Sequence, residues 1–228
     1  DLYETQAYGL DFSKTQAMYH EAYQVLLKGL SSDELTFAGE FYKFDKLPMI
    51  LKPVQKPHPP LWYGVGLPAN AAWPAENHIN IVALGLRETT QATIKAYRDA
   101  RTAKGFDLNG TLMGVSRHIV VADTDEAAIA IARRAYPRWR QSFRWLFARH
   151  GAEPRVIGIY PETFDALVGL NNGVAGSPAT VRRFVEAEIA ANSCNYFVPQ
   201  MVFGDMTLKE SLRSIELFGK EVMPAFAK

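Results

Sequence analysis

Cysteine is almost missing from this sequence: Cys194 is the only one in 228 residues. No internal disulfide can form, and the chain fits a reducing, cytoplasmic compartment. Net charge is also missing. Lys and Arg total 25 against 24 Asp and Glu, a formal charge of +1, which argues against nucleic acid as a partner, since such surfaces are strongly basic. No apolar run approaches the about 20 residues needed to cross a bilayer, so no membrane association is expected. The opening DLYETQAYGL has no basic stretch followed by an apolar one, so it is not a secretory signal. It also has no initiator Met, so the chain is expected to be processed, trimmed or a fragment. His20, His78 and His150 stand alone, without Asp, Glu or Cys at metal-ligand spacing, and no metal site is expected. GVGLPA (64–69) contains G-x-G, but neither the helix after it nor an acidic partner about 20 residues on completes a dinucleotide fingerprint.

What is present alternates. Ser13 with Gln16 predicts a capping box for a helix over 13–30, and LTFAGEFYKF (35–44) predicts a small hairpin. Strand-then-helix units follow. LWYGV (61–65) leads into a helix over 68–77, and INIVAL (79–84) into a helix closed by Gly105. LMGVSRHIVVA (112–122) leads into a helix capped by Asp123 and Glu126 and broken at Pro137. Residues 151–176 read as an irregular insertion. Ser177 and Pro178 open another helix. CNYFVPQMVF (194–203) is the last strand, and Thr207 with Glu210 caps a final helix whose apolar stripe is Leu208, Leu212, Ile215 and Val222. Four strand–helix units in 1–228, read as one domain, imply a parallel α/β sheet.

The segment 52–73, KPVQKPHPPLWYGVGLPANAAW, stiffens with four prolines before a strand and loosens into glycines after it. Glycines let a ligand approach the main chain closely, and a helix starting near Pro68 presents free N–H groups to a phosphate. The same glycines also suit a plain tight turn.

Three blocks, in order, carry a family resemblance: ELTFAGEFYKFDKLPMILKPVQKPHPPLWYGVGLP (34–68), RHIVVADTDEAA (117–128) and FGDMTLKESLRSIELFGKEVMPAF (203–226). They resemble the luciferase-like flavin-dependent monooxygenases, the family of bacterial luciferase. The resemblance implies a (β/α)₈ TIM-barrel fold, of which this chain is the C-terminal half to two-thirds. It implies that Gly64, Val65, Gly66 and Leu67, with Pro68 and Asn70 alongside, hold the phosphate of reduced FMN. Relatives usually place Ser-Ser where Gly66-Leu67 stand, so the amides remain while hydroxyl donors are lost. The implied partners are O2, a small organic substrate and a separate flavin reductase. A deazaflavin that transfers hydride is the alternative cofactor. The catalytic residues, which the resemblance assigns to the front of the barrel, have no counterpart here. A non-catalytic flavin-binding half-barrel, a homo-oligomer or a missing N-terminal segment follows as a second expectation.

Three further positions stay open. Arg117 either meets flavin or a substrate acid, or forms a structural ion pair; His118 points the other way and packs. Phe203 and Asp205 follow the last strand, where a barrel carries its active site, although Asp205 equally serves helix capping. Trp139, Phe143, Trp145 and Phe147 line either a lid or dimer face or an ordinary core.

Overall fold

In a computed structural model that describes residues 2–226, the chain forms two compact units, residues 1–60 and 61–228.

The first unit holds helices α1 (Leu2–Ala7) and α2 (Thr15–Ser31) and an antiparallel hairpin, β1 (Glu34–Ala38) with β2 (Lys43–Pro48). The expected Ser13 capping box does not form. Asp11 caps a 3₁₀ turn over Phe12–Lys14 by accepting from the Ser13 amide, and Gln16 bonds His20 instead. The hairpin turn is closed from α2: the Glu21 carboxylate accepts the amide protons of Glu40, Phe41 and Tyr42 at 2.9, 2.9 and 2.7 Å. A Cβ on Gly39 would lie 2.0 Å from that carboxylate, so the glycine admits it. Glu21→Ala is expected to destabilise this unit by about 1–2 kcal/mol, the range of lost charge-assisted bonds at a partly wet site. Faster amide exchange at residues 40–42 is the check; unchanged protection there would contradict it.

The second unit is a parallel sheet with helices. Its strands are β3 (Trp62–Val65), β4 (Asn80–Ala83), β5 (Met113–Val121), β6 (Gly173–Gly176) and β7 (Tyr196–Gln200). The order is β3-β4-β5-β6, with β7 also paired to β5. The helix expected over 68–77 is shorter: a 3₁₀ turn at Pro68–Asn70, then α3 (Ala72–Glu76). The next helices are α4 (Arg87–Ala103) and α5 (Asp125–Arg149). Thr124, not Asp123, caps α5, and Pro137 sits inside it without ending it. Residues 151–176 are not irregular throughout, for they hold α6 (Phe164–Gly169) and β6. The chain closes with α7 (Pro178–Asn192) and α8 (Leu208–Leu217), the latter with the expected Thr207–Glu210 capping box.

Strand alternation divides β5 into two faces. Met113 and Val115 pack with Ile94 and Tyr97 of α4. Ile119 and Val121 pack with Val181 and Val185 of α7 and with Leu217. On the opposite face, Val120 packs with Ala128, Ala132 and Tyr136 of α5. The α8 stripe expected to pack inward does so only at Val222; Leu208, Leu212 and Ile215 are exposed. Ser211 and Ser214 face the sheet instead, and the Ser214 hydroxyl accepts the Val121 amide proton at 2.9 Å.

Candidate functional site

Gly64 lies in one row with Val82, Gly114 and Tyr196 across four strands. Strands three places apart are about 14 Å from each other in a flat sheet. Yet the rings of Trp62 on β3 and Tyr196 on β7 meet with centroids 4.7 Å apart. The sheet is therefore strongly curled, with Trp62, Gly64, Gly114 and Tyr196 on its concave side. Gly114 lies beneath the Tyr196 ring, and a Cβ there would meet it in ordinary contact at 3.4 Å.

At the C-terminal end of β3, the six expected cofactor residues divide. Val65 belongs to the sheet: its side chain is fully buried on the helix side and its carbonyl accepts the Leu84 amide proton at 2.8 Å. Its side chain and carbonyl are thus taken up by the sheet. Gly64, Gly66, Leu67 and Asn70 are exposed and Pro68 is half-buried. A Cβ built on Gly66 meets nothing within 4 Å, and one on Gly64 meets only Leu84 at 3.4 Å. The approach to this turn is open. The Asn70 amide is used within the turn, donating to the Leu67 carbonyl at 3.0 Å. Because α3 is a single turn long, its dipole adds little; the backbone donors at Gly66 and Leu67 are what the turn offers an anion.

Arg117 lies elsewhere. It is fully enclosed on the helix side of β5, where its Nε donates to Glu188 Oε2 at 2.8 Å and its Nη1 donates to the carbonyls of Ser116 and Gly85. Arg87 pairs with the other Glu188 oxygen. Burial pulls the Arg117 pKa down, against the pull of Glu188. Arg117 thus forms a buried ion pair tying α7 to β5.

His118 is on the opposite face, as strand alternation requires. It is 1% exposed and enclosed by the rings of Tyr136, Trp139, Tyr160 and Phe203, at centroid distances of 5.7, 4.4, 5.8 and 5.1 Å. Burial pushes its pKa down to about 4. Phe203 is accordingly a wall of this cage, not an open substrate contact. Asp205 accepts from Arg134 at 3.2 Å, and Arg134 also grips Glu210, so Asp205 serves the start of α8. Gly204 between them is tightly placed: its φ is +60° and a Cβ would lie 1.8 Å from the Ala135 carbonyl oxygen. Trp139 and Phe143 are half-buried and stack at 5.4 Å, with Trp139 packed against the α5 core cluster. Trp145 is exposed beneath Arg149.

The chain matches the luciferase-like monooxygenase family over residues 2–190, most of its length.

The chain belongs to that family.

A relative of this luciferase-like chain in Sinorhizobium fredii (strain NBRC 101917 / NGR234), the uncharacterized protein y4wF, is 30% identical over 95% of this chain and 63% of its own. The FMNH(2)-dependent dimethylsulfone monooxygenase of Pseudomonas putida is 26% identical over 87% of this chain and 55% of its own. Among solved structures, the monooxygenase RslO1 from Streptomyces bottropensis superimposes with a TM-score of 0.77 at 24% identity, over 98% of this chain and 65% of its own. An F420-dependent secondary alcohol dehydrogenase in complex with an F420-acetone adduct superimposes with a TM-score of 0.62 at 17% identity, over 95% of this chain and 63% of its own. The luciferase-like chain thus spans somewhat under two thirds of the length of these proteins. The fold is theirs: a curled parallel α/β sheet of the luciferase-like type.

Sequence reasoning singled out the β3 turn but missed the residues that share its concave face: Trp62, Tyr196, Ser116 and Gln200. Strand alternation held the signal, since Trp62 and Gly64 are two residues apart, as are Ser116 and His118.

Proposed function

We propose that this protein binds reduced FMN, with the phosphate on the backbone amides of Gly66 and Leu67 and Gly64 and Pro68 flanking it. We propose further that it supports O2-dependent oxidation of a small organic substrate. The carrying observation is the open, exposed main chain at Gly66, at the C-terminal end of a concave parallel sheet. When bound, the reduced flavin supplies the electrons. The chain's own part is to grip the phosphate, lay the ring along the concave face and limit water there. A separate reductase delivers the reduced cofactor. The name of the Pseudomonas putida relative supports FMN.

The F420-bound dehydrogenase favours a second reading on the same turn, a deazaflavin passing hydride. A third reading is flavin binding without turnover, with a second copy or a further segment of polypeptide along β3; it is favoured by the pairing of β3, among the described residues, with β4 only.

Gly66→Val is expected to weaken FMN binding about 10- to 100-fold, the equivalent of one hydrogen bond to a charged group. Flavin fluorescence titration measures it, and an unchanged affinity would refute the phosphate assignment. Oxygen uptake driven by NADH and a flavin reductase separates the readings. Uptake supports the monooxygenase, binding of FMN without uptake supports the non-catalytic form, and binding of F420 alone supports the deazaflavin reading.

A further inference from the structure

The concave face carries one polar pair that the phosphate turn leaves unused. β5 and β7 run in register, Ser116 opposite Val198 and His118 opposite Gln200. Ser116 and Gln200 are therefore diagonal neighbours on one face, and the Gln200 Nε2 donates to the Ser116 Oγ at 2.9 Å. Ser116 is buried and Gln200 half-buried. This bond pins one end of the amide and turns the carbonyl oxygen, Oε1, away from Ser116, where it is available as an acceptor. The pair lies on the side of β5 that carries Gly114, in one row with Gly64 and Tyr196. The opposite face is filled by α4 and α7, and on the concave side α5 covers His118 and Val120, whereas Trp62, Gly64 and Tyr196 stay exposed there, so a ring is placed on that exposed part.

We propose that Gln200, held by Ser116, binds the pyrimidinedione edge of the flavin ring. This rests on the FMN reading above and extends it from the phosphate to the ring. The imide N–H of that edge needs an acceptor, which Oε1 supplies. β3 and β7 are separated by two strands, a spacing of about 10–14 Å depending on curl. That suits a cofactor gripped by its phosphate at one strand and by its ring edge at the other. The half-exposed rings of Trp62 and Tyr196 give the apolar part of the isoalloxazine a surface beside the pair. Deazaflavins keep the same imide edge, so Gln200 serves either cofactor.

The test is a set of fluorescence titrations of the full chain with FMN, with riboflavin, which has the ring but no phosphate, and with F420. Gln200→Leu is expected to lower affinity for FMN and riboflavin by the same factor, about 3- to 10-fold for one neutral hydrogen bond, leaving their ratio unchanged. Gly66→Val is expected to collapse that ratio. Gln200→Asn, which keeps an amide but shortens its reach, should weaken both ligands too, and it replaces the leucine variant if that one unfolds. If only F420 binds, the same factor is expected with F420. Full ring affinity in the Gln200 variants, with FMN still weakened by Gly66→Val, would overturn the assignment of Gln200 and leave the phosphate site standing. If the wild-type chain binds none of the three ligands, both readings fall.

Discussion

Glu188→Ala is expected to cost about 3–5 kcal/mol of folding stability, the range for breaking a buried ion pair by removing one partner. Glu188 is fully buried and faces two guanidiniums, Arg87 and Arg117. Arg117 is itself fully buried. Its Nη2 lies 2.7 Å from Glu188 Oε2 as a charge contact, while its Nε makes the directed bond. Asn192 donates to the same oxygen at 3.2 Å and accepts from Thr90. Removing the carboxylate would strand a cation with no water to receive it, and it would loosen α7, α4 and β5 together. Urea unfolding monitored by tryptophan fluorescence gives the number; a loss under about 1 kcal/mol, the worth of an exposed pair, would mean that the network is wet.

Acid is expected to remove about 2–3 kcal/mol of stability between pH 7.5 and 4.5 through His118 alone. Its pKa in the folded chain is pushed down to about 4 by burial, whereas an unfolded histidine titrates near 6.5. Between those two values the unfolded chain binds the proton more readily than the folded one. Stability from this group is therefore complete above about pH 6.5, declines as pH falls toward 4 and changes no further below it. The aromatic rings around the imidazole give the charged form no carboxylate to pair with. Replacing His118 with Phe should flatten this part of the pH profile while other acidic transitions persist. If the variant keeps the wild-type slope over that range, the cage does not govern the titration.

Much of the second unit is written locally. The β3, β4, β5 and β7 segments are runs rich in apolar and β-branched residues between turn residues, and the Thr207–Glu210 pair marks the start of α8 by its own chemistry. β6 is different. Its sequence, GVAG, looks like a loop because no side-chain pattern makes it a strand. A Cβ on Gly173 would lie 2.9 Å from Leu167 and 3.0 Å from the His118 carbonyl, so close backbone approach, which only the folded sheet creates, decides the matter. The α8 stripe misled for a related reason. Apolar spacing points Leu208, Leu212 and Ile215 inward, but the helix turns Ser211 and Ser214 to the sheet, where small side chains allow close packing and one hydroxyl satisfies the Val121 amide. At the site, the glycine turn was legible from LWYGVG, while Ser116 and Gln200, distant in sequence, become a pair only through strand register. Arg117 shows the limit of reading a lone charge: its partner is 71 residues away on α7.

In the proposed binding mode, main-chain donors at Gly66 and Leu67 grip the cofactor's phosphate. Amide NMR of the ¹⁵N-labelled chain addresses it directly. Addition of FMN should move the Gly66 and Leu67 N–H resonances downfield, as expected for a charge-assisted bond, while riboflavin leaves those two in place. Equal shifts with both ligands, or none with FMN at saturation, would mean that these two amides do not hold the phosphate.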